Sequence, residues 1–224
     1  MAYQPVLHAT DGSLFGHEAL VRTREAALPD PSSLIDAAER LGRLDQLGQL
    51  TRKLAVGDGA PHLGCLLINL HPADLADPEL YRADTSLGRN AGRVVLEITE
   101  RASLEGRKDV RRRVEELRAL GYRIAVDDLG SGYAGLTSFA QLEPEIVKLD
   151  MALVRGVAES PLKQKLIGSI TRVCKDMGIL VVAEGIETTT ERDSVVDLGC
   201  DLLQGFLLGR PGPVGDRRGR PPVA

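Results

Sequence analysis

Residues 146–185 read IVKLDMALVRGVAESPLKQKLIGSITRVCKDMGILVVAEG. A short run of branched apolar residues carries Lys148 and ends in Asp150, and a second run, ILVVA at 179–183, ends in Glu184. Between them Leu162 to Met177 has the apolar spacing of a helix, and Gly178 stands just past its end, where a left-handed backbone favours glycine. Strand, helix, strand is the reading.

The same alternation runs outward along the whole chain. Strand candidates fall at roughly 3–8, 14–20, 64–70, 93–98, 122–127, 146–149, 179–183 and 201–207. Helix candidates are Ser32 to Leu41, Leu44 to Val56, Lys108 to Leu120, Leu162 to Met177 and Thr188 to Leu198, with Gly121, Gly178 and Gly199 as C-terminal punctuation. The 224 residues, at about 150 per domain, permit either two small domains or one barrel. About eight strands in so short a chain favour an α/β, TIM-like (β/α)8 barrel. Asp11-Gly12 leaves no room for a helix between the first two strands, so these should form an antiparallel hairpin and make the first strand irregular.

Composition removes several classes of function. With 28 Lys plus Arg against 32 Asp plus Glu, the chain lacks the basic footprint that neutralises a phosphate backbone, so polymeric nucleic acid is not expected as a partner. Cys65, Cys174 and Cys200 are scattered with no C-x-x-C pair, which argues against a disulfide framework or zinc knuckle. No apolar run approaches the ~18 residues of a membrane span. The opening MAYQPVLHAT lacks a basic region followed by an apolar core, and a cytoplasmic protein is expected. Residues 1–211 form the expected barrel and 212–224, rich in Gly, Pro and Arg, a disordered tail.

Strand after strand ends in a residue unsuited to an apolar core. In order these are Glu18, Asn69, Glu97, Asp127 with Asp128, Lys148 with Asp150, Glu184 and Gln204. In a parallel barrel such ends converge on the one face where barrel enzymes keep their chemistry. Five carboxylates (Glu18, Glu97, Asp127, Asp128, Glu184) against one lysine leave four uncompensated negative charges, a repulsion that would hold several acids protonated unless cations are present. Two divalent cations would cancel it, and oxygen donors with one amide favour Mg²⁺ or Mn²⁺ over zinc or copper. Such a pair suits phosphoester hydrolysis by an activated water.

These residues resemble the EAL domains that hydrolyse the bacterial second messenger cyclic di-GMP. The motifs run in order across nearly the whole chain: YQPV at Tyr3 to Val6, GHEALVR with Glu18 and Arg22, INL with Asn69, LEITE with Glu97 and Glu100, DDLGSGY with Asp127 and Asp128, VKLD with Lys148 and Asp150, AEGIE with Glu184 and Glu187, and QGFLLGRP with Gln204. The resemblance implies a barrel with an antiparallel first strand, two-metal cleavage of cyclic di-GMP to linear pGpG, and a homodimer. It implies Glu18, Asn69, Glu97 and Asp127 as ligands of one metal and Asp127, Asp128 and Glu184 as ligands of the second. Lys148 would hold and polarise the water nucleophile, and Glu184 is alternatively the general base. Arg22 and Gln204 would contact substrate, Arg22 by gripping a phosphate; Asp150 and Glu187 would support or contact it. Glu100 would order the loop after Asp128, a mobile segment beside the metals.

Departures from the family pattern are peripheral: Thr23 after the arginine, Leu129 where Phe is usual, His71 after the INL motif, and a shortened stretch between Arg22 and Leu47. The rival to catalysis is a silent cyclic di-GMP receptor or protein-interaction module. A lyase acting on a phosphorylated sugar is a third reading.

Overall fold

The computed structural model describes residues 1–57, 64–99, 109–130 and 135–213. Its centre is a closed barrel of eight strands in sequence order: β1 (Ala2–His8), β2 (Leu14–Leu20), β3 (Cys65–Leu70), β4 (Val94–Thr99), β5 (Arg123–Leu129), β6 (Ile146–Leu149), β7 (Leu180–Ala183) and β8 (Leu202–Leu203). β1 pairs antiparallel with both β2 and β8, and every other neighbouring pair is parallel. The hairpin at Asp11-Gly12 is present, with Gly12 at φ 67°.

Helices α1 (Pro31–Arg40), α2 (Leu44–Ala55), α3 (Val110–Ala119), α4 (Gly135–Leu142), α5 (Met151–Val154), α6 (Pro161–Asp176) and α7 (Thr189–Asp197) accompany the strands. Their ends follow local chemistry. Ser160 caps α6 by accepting from Lys163 N with Pro161 in the first turn, and Thr188 and Glu191 form a reciprocal capping box on α7. Gly121, Gly178 and Gly199 all lie at positive φ, at 104°, 73° and 91°.

Three differences from the sequence expectation stand out. The strand expected over 201–207 is only Leu202–Leu203, because the chain turns at once into a bend in which Leu208 N donates to Gly205 O at 3.0 Å. Helices α4 and α5 had no counterpart in the expectation: α4 is GLTSFAQL, with no charged residue to mark an outer face, and α5 is a single turn started by Asp150. Gly212, placed in the expected tail, pairs with Tyr3 in an isolated antiparallel bridge. Residues 214–224 lie outside the described residues, as does Glu100.

Apolar side chains divide into an outer shell and an inner layer. Large clusters fill the space between sheet and helices. Inside the barrel, Val6, Leu67, Val95, Ala125, Ile146, Val182 and Leu202 form a separate group, each with 0% exposure. Each full burial of a Val, Leu or Ile stabilises the fold by about 1.5–3 kcal/mol, and this layer closes the barrel interior as a packed core rather than a pore.

Behind β3, buried Arg52 ties α2 to the turns that follow the strand, with Nη1 3.0 Å from Asp74 Oδ1 and Nη2 2.5 Å from Asp77 Oδ2. Gly48 makes room for this triad, since a Cβ there would lie 2.2 Å from Asp74 Oδ1.

Candidate active site

Side chains alternate faces along a strand, so a residue two positions beyond the inner apolar layer also points into the barrel. From Leu67, Val95, Ala125, Ile146, Val182 and Leu202 that step leads to Asn69, Glu97, Asp127, Lys148, Glu184 and Gln204. On β2 it leads from Gly16 to Glu18. Gly16 pairs in register with Cys65, a member of the inner apolar group. Because β1 runs the other way, its step from Val6 goes backwards to Gln4, which pairs in register with Glu18. One polar residue from each strand, or from the position after it, thus forms a ring above the apolar layer.

Lys148 stands at the centre of this ring and is 1% exposed. Its Nζ lies 2.8 Å from Glu97 Oε1, 2.8 Å from Glu184 Oε1, 3.1 Å from Asp127 Oδ1 and 3.5 Å from Glu18 Oε2. Asn69 Nδ2 donates to Glu18 Oε1 at 2.9 Å and to Glu97 Oε2 at 3.3 Å, and Gln204 Nε2 donates to Glu18 Oε2 at 2.6 Å.

Burial and mutual repulsion divide the acids. Burial raises Glu97 well above the usual carboxylate range, with Glu18 and Asp127 adding to the push against the pull of Lys148. Glu184 is pushed up to about 8, first by burial and then by Asp127 and Glu18, with Lys148 opposing. Glu18 moves the other way: burial resists, but Lys148 and the hydrogen bonds from Gln204 and Asn69 hold it below the ordinary value. For Lys148, burial works against the ammonium, and the surrounding Asp127, Glu18, Glu184 and Glu97 outweigh it and keep it charged. Glu97 and Glu184 are thus both shifted towards the protonated form, the direction in which a crowded anionic site limits its own repulsion.

The second acidic feature depends on a backbone irregularity. The pairing of β5 with β6 shifts register between Val126 and Leu129, and Asp128 sits at φ 60°. Successive residues on a regular strand face opposite ways, but here Asp127, Asp128 and Glu184 offer oxygens all within 4.8 Å of one another. Three convergent carboxylates are a donor set for a hard divalent cation. Glu97 Oε1 and Asp127 Oδ1, both buried, take only the ionic contact of Lys148 and no hydrogen bond of ordinary geometry. That leaves acceptor capacity for a cation. Asn69 joins such a set through its oxygen only after a half-turn of the amide, because Nδ2 faces the acids.

A cavity of about 510 Å³ opens beside the ring, lined by Glu18, Asp128, Asp150, Glu184, Glu187 and Gln204. Asp150 is held there by capping α5, its Oδ1 accepting from Ala152 N at 2.6 Å. Glu187 is engaged by Arg155 through both oxygens, and these hydrogen bonds together with the guanidinium charge keep its carboxyl below the usual value. Phe206, 46% exposed, also lines the cavity with the Arg210 guanidinium 4.4 Å from its ring centroid. Arg22 does not line it: the residue is exposed and its Nη1 donates to Val21 O at 2.8 Å. His71 caps the turn after β3 by accepting from Ala73 N at Nδ1. A shallow groove of about 470 Å³ along α6, lined by residues such as Gln164, Lys165 and Arg172, contains no acidic group.

Gln4, Met151 and Arg155, which also line the cavity, are not among the sequence-based candidates. Gln4 had a signal: the same period of two, counted backwards along the reversed strand.

The model of the EAL domain matches residues 1–211. The chain belongs to the EAL domain family. It is 32% identical over 225 residues to the cyclic di-GMP phosphodiesterase NbdA of Pseudomonas aeruginosa, covering 95% of this chain and 29% of that protein. It is 33% identical over 223 residues to an uncharacterized signaling protein of Caulobacter vibrioides, covering 95% of this chain and 27% of that one. The chain thus spans less than a third of the length of either relative. Klebsiella pneumoniae BlrP1, solved with calcium and cyclic di-GMP, has a TM-score of 0.82 at 31% identity over 98% of this chain and 56% of that one. Among the described residues of this EAL domain, no helix is long and apolar enough to cross a membrane.

Proposed function

We propose that this EAL domain hydrolyses one phosphodiester bond of cyclic di-GMP to give linear pGpG, with two divalent cations, Mg²⁺ or Mn²⁺. The observation that carries the reading is the buried Lys148 with Nζ 2.8 to 3.5 Å from four carboxylates, two of which, Asp127 and Glu184, converge with Asp128. Glu18, Asn69, Glu97 and Asp127 would hold one cation, and Asp127, Asp128 and Glu184 the other. When bound, the pair supplies a water made acidic near neutral pH and charge neutralisation on the phosphoryl oxygens. BlrP1, solved with cyclic di-GMP and either calcium or manganese, supports this cofactor class.

The chain's own residues do the rest. Lys148 keeps its proton at Nζ and presents it to the attacking oxygen, favouring the deprotonated nucleophile by its charge. Glu184 reaches the same space and, as the alternative to holding a cation, would accept a proton from the attacking water. Gln204, Asp150 and Glu187 line the cavity and orient the nucleotide, Glu187 by exchanging its bond to Arg155. Arg22, leaving Val21 O, would fork onto a phosphate from the rim.

Purified protein with Mn²⁺ or Mg²⁺ should convert cyclic di-GMP to pGpG, followed by chromatography. Chelation, or Glu18→Ala, should abolish turnover. Turnover that survives both removes the metal assignment, whereas tight binding in calcium with no cleavage in manganese replaces catalysis by a receptor role.

A further inference from the structure

Gln4 is the member of the polar ring with no part in metal or substrate binding so far. It is 8% exposed, and its Nε2 donates to the main-chain carbonyl of Gly209 at 3.1 Å. A carbonyl only accepts, so Gln4 must turn its NH₂ towards Gly209 and its Oε1 away. Gln204 Nε2 lies 3.3 Å from that Oε1 and 2.6 Å from Glu18 Oε2. Both partners are acceptors. The amide of Gln204 is therefore fixed with its nitrogen towards them, since the flipped orientation would bring oxygen against two oxygens. Its own Oε1 is left buried with no hydrogen-bond partner among the described residues, on a side chain that lines the cavity. Native proteins seldom leave a buried acceptor unmatched, and a ligand donor is one way to match it.

We infer that Gln4 is a positioning residue: it sets the amide of Gln204 so that Nε2 holds Glu18 and Oε1 accepts a hydrogen bond from an N–H or O–H group of the bound nucleotide. The ligand half of this inference rests on the cyclic di-GMP reading; the amide relay does not. A phosphate offers no such donor at neutral pH, whereas a guanine edge and a ribose hydroxyl both do.

Gln4→Met keeps the length of the side chain and removes both of its hydrogen bonds. In ¹⁵N-edited NMR the Gln204 side-chain amide should be protected from exchange in the parent and lose at least tenfold protection in Q4M. KM for cyclic di-GMP should rise by about tenfold, one hydrogen bond's worth, with a smaller change in kcat. Q4M combined with Gln204→Ala should be no worse than Q204A alone, because the first acts through the second. Multiplying losses in the double variant, or an unchanged Gln204 amide in Q4M, would overturn the relay. Should Q4M fail to fold, Gln4→Ala, which also lacks both hydrogen bonds, takes its place, and an unchanged Gln204 amide in that variant equally refutes the idea. A parent that neither binds nor cleaves cyclic di-GMP would sink the functional reading alone, since the NMR comparison still decides the relay.

Discussion

Two layers of the barrel interior lie two residues apart on the same strands and obey opposite rules. The lower one, with Leu67, Val95, Ala125, Ile146 and Val182, has no exposure and no polar atom to satisfy. The upper one, with Asn69, Glu97, Asp127, Lys148 and Glu184, is as deeply placed at Glu97 and Lys148 yet consists of charge and amide. The strands give both layers the same geometry, so the difference is chemical: the lower layer supplies cohesion, and the upper layer spends some of it to hold ionised groups out of water. A site of this kind is possible because the floor beneath it excludes solvent.

The contrast can be tested from its most sensitive point downward. Lys148→Met removes the ammonium from among four carboxylates, and turnover should fall by about 10³-fold or more. Denaturant unfolding in chelator should show a loss of about 3 kcal/mol, the order expected when a buried charge cluster loses its partner. Leu67→Ala, one layer down, should cost about 2–4 kcal/mol by the cavity it leaves, while turnover per folded molecule stays near that of the parent. Equal losses of turnover in the two variants would show that the layers do not separate.

The smallest effect is the pH response. Folded Glu184 keeps a proton up to about 8, where an ordinary carboxyl loses it near 4.5. The folded chain therefore holds more protons than the unfolded chain within that window, and stability in chelator should fall as pH rises through it. Glu97 is shifted in the same direction and reinforces the sign. Added Mn²⁺ should stabilise the chain more at pH 8 than at pH 6, since fewer protons must leave; a scanning melt at several pH values reads both slopes.

Much of this was legible because strands announce themselves twice, by branched apolar runs and by the polar residue that ends them. Seven ring members, Glu18 to Gln204, are visible in that way. Gln4 was hidden because a search for the C-terminal ends of strands looks at the wrong end of β1, whose reversal brings its beginning to the mouth. Helix α4 was hidden by its lack of charge, and the true length of β8 by Gly205, where a Cβ would lie 2.1 Å from Ile186 O and the backbone leaves the sheet. Side-chain engagement was beyond reach altogether: nothing in the sequence tells that Glu187 is taken up by Arg155 or that Arg22 folds back on Val21.

The irregular step at Asp127-Asp128 makes one strand contribute twice to a single spot. Charge density at the mouth is thus governed by a torsion angle as much as by the number of acids. Asparagine at 128 would keep the twist and dilute the charge, glycine would keep the twist and delete it, and a β-branched residue would straighten the backbone and swing the neighbouring carboxylate out of reach.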